Sequence, residues 1–492
     1  MTGRTAIAKK IARLRSEPNA RLRVLDLFSG CGGLSLGFQT AGCDIVAAVE
    51  FDPHAARSHA INFCKGQEQE AIEHHARARD ITAIDPEELV ADFRLGRTEE
   101  AFDILVGGPP CQAYARVGRA KLREIAEHPH AFKIDPRGNL YLRYLHYVKQ
   151  LQPLALLIEN VPDILNYGGH NIGQEIVEAL DVMGYEARYS LINSAHHGVP
   201  QMRDRVYMIA FRRELKATIR FPYATHFCTL PSGYAGTRSV ALKHVDLFTA
   251  GAYFEPDTGH QGLPKAVTAA EAIGDLPQIT LHREGKLKRG ARRFTELARY
   301  RRIQKLSTFA REMREWPGFT AGEGVYDHVL RALPRDTRIF EAMTQGDEYP
   351  AAHRVATALF EAEAKRKRIK RDSAEWKRLH RATVPPYDPT KFPNRWWKLR
   401  ENGPSRTLMA HLGKDTYSHI HYDSAQGRVI TVREAARLQS FPDGFVFSGT
   451  MNPAFRQIGN AVPPVMAREI ARSMVSSISE IINERSTLVA AE

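Results

Sequence analysis

Cysteine is scarce in this chain: there are five in 492 residues, at Cys31, Cys43, Cys64, Cys111 and Cys228. The number is odd and no two form a CxxC pair, which argues against a disulfide framework and against a zinc site. No apolar run approaches the roughly 20 residues needed to cross a bilayer. The segment from Met1 to Ala20 is basic and has no apolar signal core, so no secretory peptide is read there. A cytoplasmic, nucleoid-associated protein is the expectation. Internal repeats and long low-complexity segments are also missing. Acidic residues are outnumbered, 56 against 69 Lys and Arg, leaving a net charge of +13 and a pI near 9.5. A polyanion such as nucleic acid is the first partner this suggests, with an ordinary solvated basic surface as the alternative. The length admits more than one core, and two domains are expected. Hydrophobic content, at 43%, is that of an ordinary soluble globular protein.

What is present begins with a strand, Arg23 to Phe28, followed by the glycine-rich turn Ser29-Gly30-Cys31-Gly32-Gly33 and a helix from Leu34 to Thr40. Strand, glycine turn and helix make a nucleotide-binding opening, because glycine lets a ligand approach the backbone. The spacing is not GxGxxG, so the dinucleotide fingerprint is not met. A second strand, Ile45 to Val49, ends in Glu50. An acid about 20 residues after the turn suits ribose hydroxyls. Asp80-Ile81-Thr82 reads as the end of a third strand, with an acid able to face a purine amino group. Each has an ordinary alternative: a helix cap, a surface carboxylate, a turn aspartate. Together they point to an adenosine-type cofactor.

The apolar run Phe102 to Val106 reads as a buried strand, and Gly107-Gly108-Pro109-Pro110-Cys111-Gln112 turns out of it as a rigid loop. Open α/β sheets place ligands and chemistry at such carboxyl ends. A lone cysteine is by itself most often a small buried hydrophobe. Ala120 to Arg137 is charged and reads as mobile. Asn139 to Gln150 reads as a helix with Leu140, Tyr144, Leu145 and Val148 on one face. Leu154 to Ile158 is a buried strand ending in Glu159-Asn160-Val161-Pro162. A carboxyl behind an apolar run is partly desolvated, which favours a protonated, hydrogen-bond-donating form.

In combination these motifs resemble the cytosine-C5 DNA methyltransferase family. The resemblance rests on Asp26-Leu27-Phe28-Ser29-Gly30-Cys31-Gly32-Gly33, Pro109-Pro110-Cys111-Gln112, Glu159-Asn160-Val161, and Gln201-Met202-Arg203-Asp204-Arg205 leading into a strand from Val206 to Phe211. It continues in Arg433-Glu434-Ala435-Ala436-Arg437-Leu438-Gln439 with Phe441-Pro442, then Arg456-Gln457-Ile458-Gly459-Asn460-Ala461-Val462-Pro463-Pro464. All stand in the family's order, over roughly residues 22 to 212 and 404 to 475.

The resemblance implies a doubly wound, Rossmann-like α/β sheet carrying an inserted target-recognition domain. It divides the chain into a basic N-terminal arm or helix (1–21), a first catalytic part (22–212), a target-recognition region (213–403) and a return to the catalytic domain with a C-terminal helix (404–492). Cytosine C5 is a poor nucleophile, and a thiolate adding to C6 makes it an enamine carbon able to attack a methyl sulfonium. By resemblance Cys111 is that nucleophile, Glu159 the hydrogen-bonding acid at N3, and Arg203 and Arg205 the basic pair that orients the base. Asn160 is a candidate buttress of the Cys111 loop. The base that removes H5 is not legible, and water is as good a reading as any side chain. The implied cofactor is S-adenosylmethionine, with no metal. Phe28 would pack on the adenine beside the Gly30–Gly32 turn, Glu50 hold the ribose, and Asp80 with Ile81 meet the adenine. Phe51 stands where the family often has tryptophan. Pro110, Leu140, Asn460 and Val462 would line and close the pocket. The final helix, Met466 to Ile482, would pack beside the first strand.

Between 213 and 403 the resemblance thins. Val267 to Pro277 and Tyr326-Asp327-His328 look like scaffold recurring in larger members, and Ser405-Arg406-Thr407-Leu408 marks the return. Lys286 to Arg293 and Lys365 to Arg371 are dense basic runs, and Arg395-Trp396-Trp397-Lys398 sets aromatics between cations. Such groups suit phosphate contacts and aromatic wedges; solvated helix faces and a local tryptophan core are the ordinary alternatives. The expected substrate is double-stranded DNA, from which the target cytosine is flipped, and the expected setting is a restriction-modification system with a cognate restriction endonuclease. A monomer is expected. The rival readings are a tRNA cytosine-C5 methyltransferase, against which the long basic insert argues, a catalytically silent DNA-binding relative, and a nicotinamide dehydrogenase. The N-terminal segment with Lys9, Lys10, Arg13 and Arg15 reads equally as a helix or as an arm along DNA.

Overall fold

A computed structural model describes residues 2–17, 19–110, 140–245, 251–280, 283, 286, 296–414 and 416–489. Its centre is a six-stranded sheet. The strands are β1 (Arg23–Leu27), β2 (Asp44–Val49), β3 (Ile104–Gly107), β4 (Ala155–Asn160), β5 (Tyr185–Asn193) and β7 (Asp204–Arg212), in the order β2-β1-β3-β4-β7-β5. A two-residue strand, β6 (Gln201–Met202), stands outside this sheet and pairs in parallel with Ser405–Arg406. The pairs β1–β2, β1–β3 and β3–β4 are parallel, whereas β7 runs antiparallel to both β4 and β5.

Alternate side chains of one strand enter opposite cores, because successive residues point to opposite faces. Val24, Ile104, Val106, Leu157 and Ile209 join one hydrophobic cluster. Their neighbours Leu25, Leu105, Leu156, Ile158 and Met208 join another. Both faces are therefore covered, which explains why these strands read as continuous apolar runs rather than alternating ones. The expected doubly wound sheet is present, with β7 as its one reversed strand.

On the first face lie α1 (Thr2–Ser16), α2 (Gly33–Thr40) and the final helix, Pro464–Val489. The final helix packs chiefly on α2, one layer out from β1. A Cβ added to Gly37 would stand 2.4 Å from the Ala467 Cβ, and one added to Gly33 would stand 2.2 Å from Val462 O. Glycine at these positions lets the two ends of the chain meet. The N-terminal segment is a helix docked on the protein, not an arm. Lys10 donates to Leu151 O at 3.1 Å and Gln152 O at 2.8 Å, Lys9 pairs with Glu100, and Arg13 pairs with Asp103.

Two expectations are corrected. Asp80-Ile81-Thr82 ends no strand; it is a turn, and β2 is the sheet edge. The preceding stretch is polar, and its groups bind locally instead of in a ladder. Asp80 Oδ1 accepts from the Thr82 N–H and hydroxyl at 2.8 and 2.7 Å, an Asx turn. The segment is held to the sheet tip by Arg79 N–H, which donates to Glu50 O at 2.7 Å. The tryptophans of Arg395-Trp396-Trp397-Lys398 are core, not wedges. Trp396 is fully buried and stacks on Tyr417 with ring centroids 4.5 Å apart. Lys398 is buried too, and its Nζ donates to Phe340 O and Met343 O, each at 2.7 Å.

The stretch 213–403 does not share one core. Phe221, Val267, Ile273, Phe309, Trp316 and Val325 belong to the cluster that also holds Val24 and Met466. A separate cluster holds Ile339, Phe340, Tyr349, Phe360, Val384 and Trp396, with Ile420 and Val429 from beyond 403. Much of the first half is thus bound to the catalytic core, as the scaffold-like motifs suggested.

Candidate active site

The carboxyl ends of β1 to β4 and the start of β7 bring most of the expected residues together. After β3 the chain must turn in close quarters. A Cβ on Gly107 would come within 2.5 Å of Leu27 O, and one on Gly108 within 2.9 Å of the Glu159 Oε2. Glu159 therefore stands against the loop three residues before Cys111. Cys111 itself lies outside the described residues, as do Ala120 to Arg137 and most of the run Lys286 to Arg293. Asn160 Nδ2 donates to Pro109 O at 2.7 Å, so β4 buttresses the loop directly.

Glu159 and Arg205 form an ion pair, Nε to Oε1, at 3.0 Å, with side chains 11% and 13% exposed. Strand pairing puts them there: β7 lies antiparallel on β4, and Asn160 faces Val206, the residue after Arg205. Arg203 makes different hydrogen bonds. It is buried, and its guanidinium donates to Leu408 O at 3.0 Å and Gly459 O at 3.1 Å. Burial, then the neighbouring Arg205 charge, lowers its pKa. Arg203 ties the returning C-terminal segments to the start of β7; its charge still interacts with Glu159, whose ion-pair partner is Arg205.

Phe28, Gly30, Glu50 and Phe51 stand at the tips of β1 and β2, and the Asp80–Ile81 turn follows the Arg79 bond to Glu50. Phe28 takes a φ of 58°, an unusual backbone for an aromatic residue and of the kind that gathers at functional sites. Gly30 has φ +55°, and a Cβ there would meet nothing within 4 Å, so the turn faces open space. Glu50 Oε2 accepts from Gly30 N–H at 2.8 Å and Oε1 from Asp52 N–H at 2.7 Å. Burial pushes this carboxyl above its usual range, and the two amide donors oppose the shift. Phe51 is 73% exposed at the same tip. Ile81 is buried, and its carbonyl accepts from Arg143 Nε at 2.7 Å. Asp80, Pro110 and Asn460 are exposed, Leu140 is half-buried, and Val462 is buried against α2. An open glycine turn, an acid fixed at a strand tip and an uncovered aromatic ring fit an adenosine-bearing cofactor.

Sequence reasoning missed Arg456. It pairs with Asp52, which also caps helix α3 (Pro53–Phe63) and follows the exposed Phe51. The Asp52-Pro53 cap was visible as a helix start, but its distant partner left no local signal. Among the described residues, no group of three or more His, Cys, Asp or Glu could hold a metal ion, and no helix is long and apolar enough to cross a membrane.

Comparison with known proteins agrees with this arrangement. The family model for C-5 cytosine-specific DNA methylases matches residues 22–476. A protein of Oceanobacillus iheyensis provisionally named as a type II methyltransferase is 38% identical over 92% of this chain and 95% of its own length. The type II methyltransferase M.XorII of Xanthomonas oryzae pv. oryzae is 30% identical over 95% of this chain and 87% of its own. Among solved structures, a provisionally named DNA modification methyltransferase encoded within an E. coli prophage superposes with a TM-score of 0.57 at 23% identity. It covers 93% of this chain and 99% of its own, and it shares the fold. The chain belongs to the C-5 cytosine-specific DNA methylase family and is a DNA (cytosine-5) methyltransferase.

Proposed function

We propose that the protein methylates C5 of cytosine within one specific double-stranded DNA sequence through a covalent Cys111–C6 adduct, as the modification partner of a restriction endonuclease. The observation that carries this reading is the Glu159–Arg205 pair, 3.0 Å apart and set against Gly108 on the loop that leads to Cys111. The target base leaves the helix to reach it, since an attacking group cannot approach C6 inside a stack. The Cys111 thiolate forms the S–C6 bond, Glu159 takes up a proton as the base binds and donates it in a hydrogen bond to N3, and Arg205 holds the other carboxyl oxygen. Ring electrons then gather at C5. Bound S-adenosylmethionine supplies the electrophilic methyl group. Loss of H5 as a proton and cleavage of S–C6 return the thiolate. Phe28, Gly30, Gly32, Glu50, Phe51, Asp80, Ile81, Pro110, Leu140, Asn460 and Val462 are the residues assigned to hold the cofactor. The names of the relatives as type II methyltransferases support the restriction-modification setting.

Bisulfite sequencing of DNA from a methylation-free host expressing this chain tests the reading. Unconverted cytosines in one recurring sequence are expected; a fully converted genome would overturn it.

The two packed helices Tyr349–Arg366 and Ala374–Thr383 are assigned to grip the duplex. Over residues 361–383 they and their connection carry nine Lys and Arg against four acids. Phe360, Trp376 and His380 lock the pair, with Trp376 and His380 stacked at 5.6 Å, so Lys365, Lys370 and Arg371 are left exposed. Replacing these three with glutamate should weaken DNA binding. The slope of log K against log salt should also flatten by about 0.9 for each phosphate that is no longer neutralised. An unchanged slope removes this surface from the interface.

A further inference from the structure

Beneath the glycine turn a chain of buried polar groups crosses four elements. Ser35 Oγ on α2 donates to Asp26 Oδ2 on β1 at 2.6 Å and stands 2.9 Å from His59 Nε2 on α3. His59 Nδ1 stands 2.9 Å from His75 Nε2, at the end of the helix Gln69–His75. Asp26 and Ser35 are fully buried, and His59 is 1% exposed. Counting protons couples the bonds of the chain: burial raises Asp26 to about 7, and the direction follows from whether Asp26 is ionised. A serine hydroxyl has a single proton, so if it goes to Asp26, His59 must donate from Nε2 and accept at Nδ1, where His75 donates in turn. Burial holds both histidines neutral, with His75 pushed down to about 4.

Both ends of this chain reach pocket residues. Asp26 lies two residues before Phe28. A Cβ on Gly32 would stand 3.1 Å from the His59 ring and 2.3 Å from that of Phe63, so the turn rests on these side chains. His75 leads directly into Arg79, Asp80 and Ile81. Arg79 NH1 donates to His75 O at 3.4 Å, its NH2 to Asp92 Oδ2 at 2.7 Å, and its backbone N–H to Glu50 O at 2.7 Å. This is the place where a third strand was expected and is missing, and the Arg79 N–H to Glu50 O bond stands where a ladder would.

We propose that the Asp26–Ser35–His59–His75 chain is a positioning device for the cofactor pocket: in place of a strand, it holds the Asp80–Ile81 turn in register with the Gly30–Gly32 turn and Glu50. It rests on the assignment of that pocket to S-adenosylmethionine. These residues touch no substrate and act through the groups they place. Their loss therefore weakens cofactor binding and leaves the methyl-transfer step and the DNA interface alone.

The test uses the full-length protein with Ser35→Ala, His59→Leu and His59→Gln. It measures KM for S-adenosylmethionine, kcat, DNA affinity, and calorimetric binding of S-adenosylhomocysteine. Ser35→Ala and His59→Leu are expected to raise the cofactor KM and the product Kd about tenfold or more, with kcat and DNA affinity within about threefold. His59→Gln, whose amide can still donate to Ser35, should recover most of the loss. Folded Ser35→Ala and His59→Leu variants with wild-type cofactor affinity would overturn the proposal, and so would a fall in kcat at constant KM. Ser35→Ala removes one oxygen only; if it fails to fold, the chain is a stability element and the proposal is likewise overturned. Absence of S-adenosylhomocysteine binding by the wild type would instead refute the pocket assignment itself.

Discussion

Cys111→Ser is expected to lower methyl transfer by at least about 10⁴-fold while leaving affinity for duplex DNA within about a factor of two. A hydroxyl has the size of a thiol but is far less acidic and less nucleophilic, so addition at C6 fails before C5 becomes reactive. The surroundings survive the change, because the loop is held by groups other than Cys111. Asn160 Nδ2 bonds Pro109 O at 2.7 Å, and Gly107 packs beside Leu27 O. Methyl incorporation into a duplex gives the rate, and fluorescence anisotropy gives the affinity. A duplex with 5-fluorocytosine adds a direct view of the adduct. Fluorine cannot leave C5 as a proton does, so the wild type should be trapped on the duplex and Cys111→Ser should not. A serine variant with a rate within tenfold of wild type would remove Cys111 from the mechanism. A parallel loss of DNA binding would mean that the residue supports the loop instead.

The largest effect on stability is expected at Arg437, in the helix Val432–Leu438. Its guanidinium is fully buried between two carboxylates. Nη2 reaches Asp443 Oδ2 at 2.6 Å and Asp275 Oδ2 at 3.1 Å, and Nη1 reaches Ala272 O at 2.8 Å. Asp275 also accepts from Arg314 Nη2 at 2.6 Å. One arginine thus joins the 269–275 stretch to the helix Val432–Leu438 and the turn after it. Arg437→Met is close in size but leaves the Asp443 carboxylate with only the Tyr300 hydroxyl of its side-chain donors, and breaking a buried pair in this way costs about 3–5 kcal/mol. Urea unfolding of the full chain measures it. A loss under about 1 kcal/mol would mean that water or a rearranged partner reaches the carboxylates. Arg437→Lys should fall between the two, since it keeps the charge and loses the planar fork.

The difference between Arg203 and Arg205 shows where reading a sequence stops. The two arginines look equivalent in Gln201-Met202-Arg203-Asp204-Arg205 and were expected to serve as a pair. Only Arg205 meets Glu159. Arg203 is taken by the carbonyls of Leu408 and Gly459, more than 200 residues away in the chain. Trp396 and Trp397 make the same point. Beside cations they resemble a DNA wedge, but Phe340, Tyr349 and Tyr417 enclose Trp396.

Local features were legible from the residues alone: the buried strands, the glycine turn, the Glu159 strand end and their order along the chain. Each is a run of a few residues whose backbone preferences and apolar pattern act within that run. The family follows from these runs in register. The tertiary structure alone decided which ionisable groups meet. It set Glu159 on Arg205, Asp52 on Arg456 and Asp275 on Arg437. It also replaced an expected third strand with a turn held by Arg79 and the His59–His75 contact. A buried charge or a buried ring takes whatever partner packing brings, and that partner lies far away along the chain.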